Sequence, residues 1–144
     1  MAIKVNGTEV ISDSRALNNI ASVDATTAAS INAAGVGGGA THQATASGAL
    51  ANGDLVIVNS NGTVSAVASP NLTSTNYIGI SDGAYSNAAT ATVQVAGAVD
   101  DAQTGLTAGQ SYYVQTDGTL STTPDDPSVF AGTALSSTEL LVKV

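Results

Sequence analysis

Cysteine and tryptophan are absent from this 144-residue chain, which has one methionine, one phenylalanine, three prolines and a single histidine. Without cysteine there is no disulfide framework, no thiol nucleophile and no Cys/His zinc site. Basic residues are nearly as scarce. Three Lys+Arg stand against eleven Asp+Glu, for a formal net charge of −8. Such a chain cannot form the positive patch that holds phosphates, and its charge repels a nucleic-acid backbone. Nor is there a long hydrophobic run. Ala25 to Gly53 carries no formal charge, but its Thr, Ser, Asn, Gln and Gly are not residues that hydrocarbon accepts, so no membrane span is expected. Met1–Gly7 has no apolar h-region, and no secretory leader is expected either.

What is present is small and apolar. The hydrophobic class makes up 43% of the chain, but 25 of those residues are alanine. Val, Ile, Leu and Phe number 32, just above the roughly one-fifth share below which chains stay disordered. Only 10% of residues are charged, so repulsion does not hold the chain open. The composition fits one weakly cored globular unit with an appendage.

Along the chain, Ile3-Lys4-Val5, Asn6-Gly7 and Thr8-Glu9-Val10-Ile11 read as a β-hairpin within 2–12, because Asn-Gly supplies the positive-φ pair of a type I′ turn. Asp24 is a good N-cap for a short helix over 25–34, with Gly35 where a C′ glycine belongs. Its apolar stripe (Ala28, Ile31, Ala34) is too thin to hold an isolated helix, which therefore needs a partner surface. A Gly-rich joint follows over 35–40. From 45 onward the pattern is short strands and turns: Leu55–Val58, Thr63–Val67, Tyr77–Ile80, Ala91–Val95, Ser111–Val114, Thr119–Ser121, Val129–Ala131 and Leu140–Val144. Turns every eight to twelve residues or so imply an all-β sandwich or barrel.

The strand region repeats itself. Leu50 to Ser65 aligns without a gap on Leu106 to Ser121, at an offset of 56 residues, with 6 of 16 positions identical. The hairpin glycines Gly62 and Gly118 coincide, as do the pre-strand glycines Gly53 and Gly109. A three-residue shift then matches Tyr77-Ile78-Gly79-Ile80 to Phe130-Ala131-Gly132-Thr133. The expected fold is therefore all-β, a small β-barrel or sandwich built from a duplicated strand-hairpin unit (50–97 and 106–144). An N-terminal arm, with its hairpin and short helix, precedes it. The arm spans 1–44 and the β domain 45–144, with the two halves closing one barrel.

Candidate chemistry is sparse. His42 lies beside the glycine joint with no local carboxylate or nucleophile, and reads as a solvated loop histidine. Gly35–Gly39 lacks the Lys-Ser/Thr of a phosphate loop. Asp100-Asp101 and Asp125-Asp126 lack the alternating arrangement of a calcium loop and read as solubilising surface carboxylates. Asn6, Asn61 and Asn71 match the glycan-acceptor pattern, but two of them belong to Asn-Gly turns. Tyr112 and Tyr113 fall on opposite faces of one strand, so one belongs to the core. No catalytic constellation, metal site or cofactor site emerges, and the chain reads as a binding or structural part. The candidate partner-binding residues are Arg15, whose planar fork suits a carboxylate on another chain, and the apolar Leu17, Ile20 and Ile31 of the arm.

Asn52-Gly53-Asp54-Leu55-Val56, Tyr77-Ile78-Gly79-Ile80, Val93-Gln94-Val95-Ala96-Gly97 and Thr104–Gln110, with Tyr112–Pro124, Val129–Leu135 and Leu141-Val142, resemble tailed-bacteriophage capsid decoration (cement) proteins over roughly residues 48–144. Similar segments recur in virion proteins of marine and cyanobacterial phages. Val5–Ile11 and Arg15–Asp24 are similar to segments of phage head and tail fibres. The resemblance implies a virion structural protein on the capsid surface, assembled in the host cytoplasm, with no enzymatic activity. Its implied partners are the major capsid protein and sister copies in a homotrimer, and it binds neither nucleic acid nor membrane. The alternative it implies is a short fibre or fibre-tip protein contacting a host glycan or receptor.

Overall fold

The computed structural model describes residues 39–143, together with the backbone of two N-terminal strands, β1 (Ile3–Val5) and β2 (Thr8–Ile11). The chain divides into two compact units, Met1–Gly37 and Gly38–Val144. In the first, β1 and β2 pair antiparallel, with Val5 opposite Thr8, Lys4 opposite Glu9 and a register shift before Ile3 meets Ile11. The expected helix over 25–34 and the candidates Arg15, Leu17, Ile20 and Ile31 lie outside the described residues.

The second unit is all-β, and each sequence repeat builds one five-stranded antiparallel sheet. Repeat one supplies β4 (Leu55–Val58), β5 (Val64–Ala66), β6 (Tyr77–Ser81) and β7 (Thr90–Gln94). Repeat two supplies β9 (Ser111–Val114), β10 (Leu120–Ser121), β11 (Val129–Ala134) and β12 (Leu140–Val142). Each set is joined at the same edge by the strand that precedes it, β3 (Thr41–Thr45) or β8 (Val99–Asp100). The orders β5-β4-β6-β7-β3 and β10-β9-β11-β12-β8 are the same topology twice.

Two expectations change. The β unit starts earlier than residue 45, because Thr41–Ala44 pair with β7 and are not part of an arm. Their polar Thr-His-Gln-Ala-Thr sequence has no apolar alternation to announce a strand, and the ladder with Thr90–Gln94 supplies the order instead. The halves also form separate ladders stacked as a sandwich, so no barrel closes and each sheet keeps two edges.

The turns carry the duplication at atomic detail. In the first hairpin, Asn59 N–H donates to Thr63 C=O at 2.8 Å and Gly62 N–H to Asn59 C=O at 2.9 Å. In the second, Gln115 N–H donates to Thr119 C=O at 2.9 Å and Gly118 N–H to Gln115 C=O at 3.0 Å. Both are three-residue loops ending on a left-handed glycine, with φ +82° at Gly62 and +86° at Gly118. Asn61 Oδ1 accepts from the Thr63 amide and hydroxyl, and Asp117 Oδ1 does the same for Thr119. Gly79 and Gly132 coincide as well. Each follows a register shift, at Ile78 and Ala131, and a Cβ on either would overlap a neighbouring-strand carbonyl, that of Gln94 or of Leu141.

The sheets do not face each other with equivalent surfaces. Leu55 and Ile57 of β4 enter the inter-sheet core with Tyr77 and Ile80. Their repeat partners Ser111 and Tyr113 lie on the outside of the second sheet, exposed and half-buried respectively. Conversely Tyr112 and Val114 fill the inter-sheet core, along with Leu140 and Val142. The residue matching Tyr112, Val56, belongs instead to a second cluster with Val64, Ala91 and Val93 on the far side of the first sheet. The sheets thus stack front to back. The front of the first sheet is covered by Ala46, Leu50 and Tyr85, the last two paired through an isolated antiparallel bridge. The Tyr113 ring meets Phe130 edge-on at 5.9 Å on the back of the second.

Candidate functional site

The loop between β8 and β9 lies over the inter-sheet core and shapes the principal concavity, a pocket of about 400 Å³. Ala102–Leu106 form one wall, Gly53 and Leu55 at the start of β4 a second, and the turn Gly118-Thr119-Leu120 a third, with Tyr112 below. The glycines follow from geometry. Gly53 sits at φ +85°, and a Cβ there would press on Ala102 Cβ at 3.1 Å and Ala102 O at 3.2 Å. Gly118 is tighter, since its Cβ would stand 2.6 Å from the Val67 carbonyl oxygen.

A buried polar cluster holds this loop. Asp100 on β8 is 1% exposed, and Gln103 Nε2 donates to its Oδ2 at 2.8 Å and to the Gly53 carbonyl at 3.0 Å. Gln103 thereby ties the second repeat to the first. Burial pushes the Asp100 carboxyl above its ordinary range, opposed by hydrogen bonds from Gln103 and the Ala102 backbone and aided by the Asp101 charge. The Tyr77 hydroxyl is buried without a hydrogen-bond partner among the described residues, and burial, then the Asp100 charge, pushes its pKa up. Lys143 Nζ sits 4.7 Å from the Tyr77 ring centroid, donates to the Tyr77 carbonyl oxygen, and has its pKa lowered by burial.

The sequence treated Asp100-Asp101 as surface carboxylates. That is correct in exposure for Asp101 and wrong for Asp100. The available signal was alternation, which puts Asp100 opposite the core residue Leu140, with an amide three residues on to satisfy it. Asp125 is exposed, and its carboxylate, held below its usual range first by the Thr116 backbone amide, caps that residue. His42 is exposed, on strand β3 and not in a loop. Among the described residues, no three His, Cys, Asp or Glu side chains come together as metal ligands would. The tyrosines divide as expected, Tyr112 into the core, where its hydroxyl accepts from the Thr107 amide at 2.9 Å, and Tyr113 onto the outer face.

The pocket wall therefore offers amide, hydroxyl and backbone groups over an apolar floor of Leu55, Leu106 and Leu120, with no carboxylate or imidazole in the lining. Those groups can hydrogen-bond a small neutral polar molecule. No protein-family model, curated protein or solved structure matches the chain.

Proposed function

We propose that this chain is a structural protein of a bacteriophage particle, a capsid decoration protein that reinforces the shell from outside. The observation that supports this most is the division between a self-contained, twice-built β sandwich and a separate N-terminal unit. In this reading the sandwich stands on the capsid surface. The N-terminal residues bind the major capsid protein and sister chains arranged as a homotrimer, with Arg15, Leu17, Ile20 and Ile31 as the contact residues. An acidic, non-enzymatic sandwich suits an exposed position at high local concentration, where net charge keeps neighbours soluble.

A second reading is a short fibre or fibre-tip protein. The neutral pocket between β4 and the β8–β9 loop favours it, because hydroxyl and amide groups over an apolar floor suit a glycan. Copy number separates the two. Quantifying the chain against the major capsid protein on a gel of purified particles is expected to give hundreds of copies per particle. A few tens or fewer would replace the decoration reading with the fibre reading.

A further inference from the structure

Four strand edges border the two sheets, and three are short or occupied. β8 and β10 are two residues each. β5 is three residues and is approached by Ala46 and Ser47, whose amide donates to the Val64 carbonyl at 2.7 Å. The fourth, β3, is five residues long and exposed along most of its length, with no charge, proline or register shift. These are the features with which proteins ordinarily blunt an edge, and all are missing here.

The direction of its free groups follows from the ladder. Ala40 accepts from Val95 and Ala46 donates to Ala89, so His42 and Ala44 are the residues that exchange hydrogen bonds with Val93 and Ala91. Thr41, Gln43 and Thr45 then point their N–H and C=O groups away from the sheet. We infer that β3 is a self-association edge, pairing antiparallel with β3 of a second copy about a twofold axis through Gln43.

In that register Gln43 meets its own counterpart and Thr41 meets Thr45, so every outward donor finds an acceptor. Facing threonines form a favourable cross-strand pair. Charge selects the occupant. Two chains of charge −8 repel over most of their surface, whereas Ala25 to Gly53 has no acidic residue, so this edge is where copies approach at least cost. The contact is isologous and joins two copies; it is independent of the capsid reading and of any threefold assembly.

The test uses the full chain. Amide hydrogen exchange from micromolar to millimolar concentration is expected to slow at Thr41, Gln43 and Thr45 as concentration rises. Gln43→Pro removes one outward N–H and leaves the bonds to β7 in place; Gln43→Lys sets two like charges face to face. Each variant is expected to halve the sedimenting mass of the wild-type species, with unchanged exchange at Val93 and Ala91 showing that the sheet is intact. Exchange at the three amides that does not depend on concentration overturns the inference. So does wild-type mass in either variant with β7 protected; if Pro loosens β7, the Lys variant decides.

Discussion

Gly62 and Gly118 occupy the same place in two copies of one hairpin, yet their surroundings differ. Both have positive φ, so a β-branched residue is strained at either. At Gly62 nothing lies within 4 Å of an added Cβ, so Gly62→Val is expected to cost on the order of 1–3 kcal/mol through the backbone alone. Gly118→Val must also displace the Val67 carbonyl, and its cost is expected to be the larger, as chemical denaturation of both variants will show. Equal losses would remove the Val67 contact from the account. Asp100 gives a pH-dependent comparison. Its folded-state pKa is raised above the unfolded value, so its favourable contribution is full below the unfolded pKa and is lost as pH rises through the folded pKa. Asp100→Asn keeps an acceptor for Gln103 and removes the buried charge. It is expected to raise the melting temperature at pH 7, with the gain shrinking as pH falls below about 4, near the ordinary carboxylate value.

The two β-hairpins form a natural control for a side-chain cap. Thr63 is capped by Asn61, which does not titrate; Thr119 is capped by Asp117, whose carboxyl is held below its usual range mainly by the Thr119 hydroxyl. A lowered pKa means that the stabilising contribution is present above the unfolded value and lost as pH falls through the folded one. On acidification the Thr119 amide is therefore expected to lose exchange protection before the Thr63 amide; simultaneous loss would assign no role to the Asp117 charge. These hairpins were legible in the sequence because glycine at a fixed place in an ungapped repeat has a conformational reason to be there. β3 was not, since Thr-His-Gln-Ala-Thr has no apolar period and is ordered by its neighbour. Asp100 was hidden for a similar reason: a two-residue strand is too short to display alternation. β4 posed the opposite difficulty. Leu55-Val56-Ile57-Val58 is apolar on both faces, so the pattern could not say which face met the other sheet.

At the scale of the molecule, the boundary at Gly37/Gly38 makes the sandwich separable in principle. A chain lacking residues 1–37 is expected to remain soluble and to melt cooperatively, and in the decoration reading to lose capsid binding. Aggregation of the truncated chain would return the N-terminal residues to the sandwich core. The small share of large side chains is compatible with such independence, because Tyr77, Ile57, Ile80 and Leu140 are concentrated between the sheets and almost wholly removed from water.

Front-to-back stacking also gives the sandwich a direction. Two sheets placed face to face would make a closed pair with equivalent outsides. Here one outside is sealed by Leu50 and Tyr85, and the other carries Tyr113, Phe130 and the exposed Val99 in the open. Translation, not rotation, relates the halves, so the unit is a module with a finished end and an unfinished one. A third module fused in series would find its seat behind Phe130 and nowhere else, and tandem extension of this fold runs one way only.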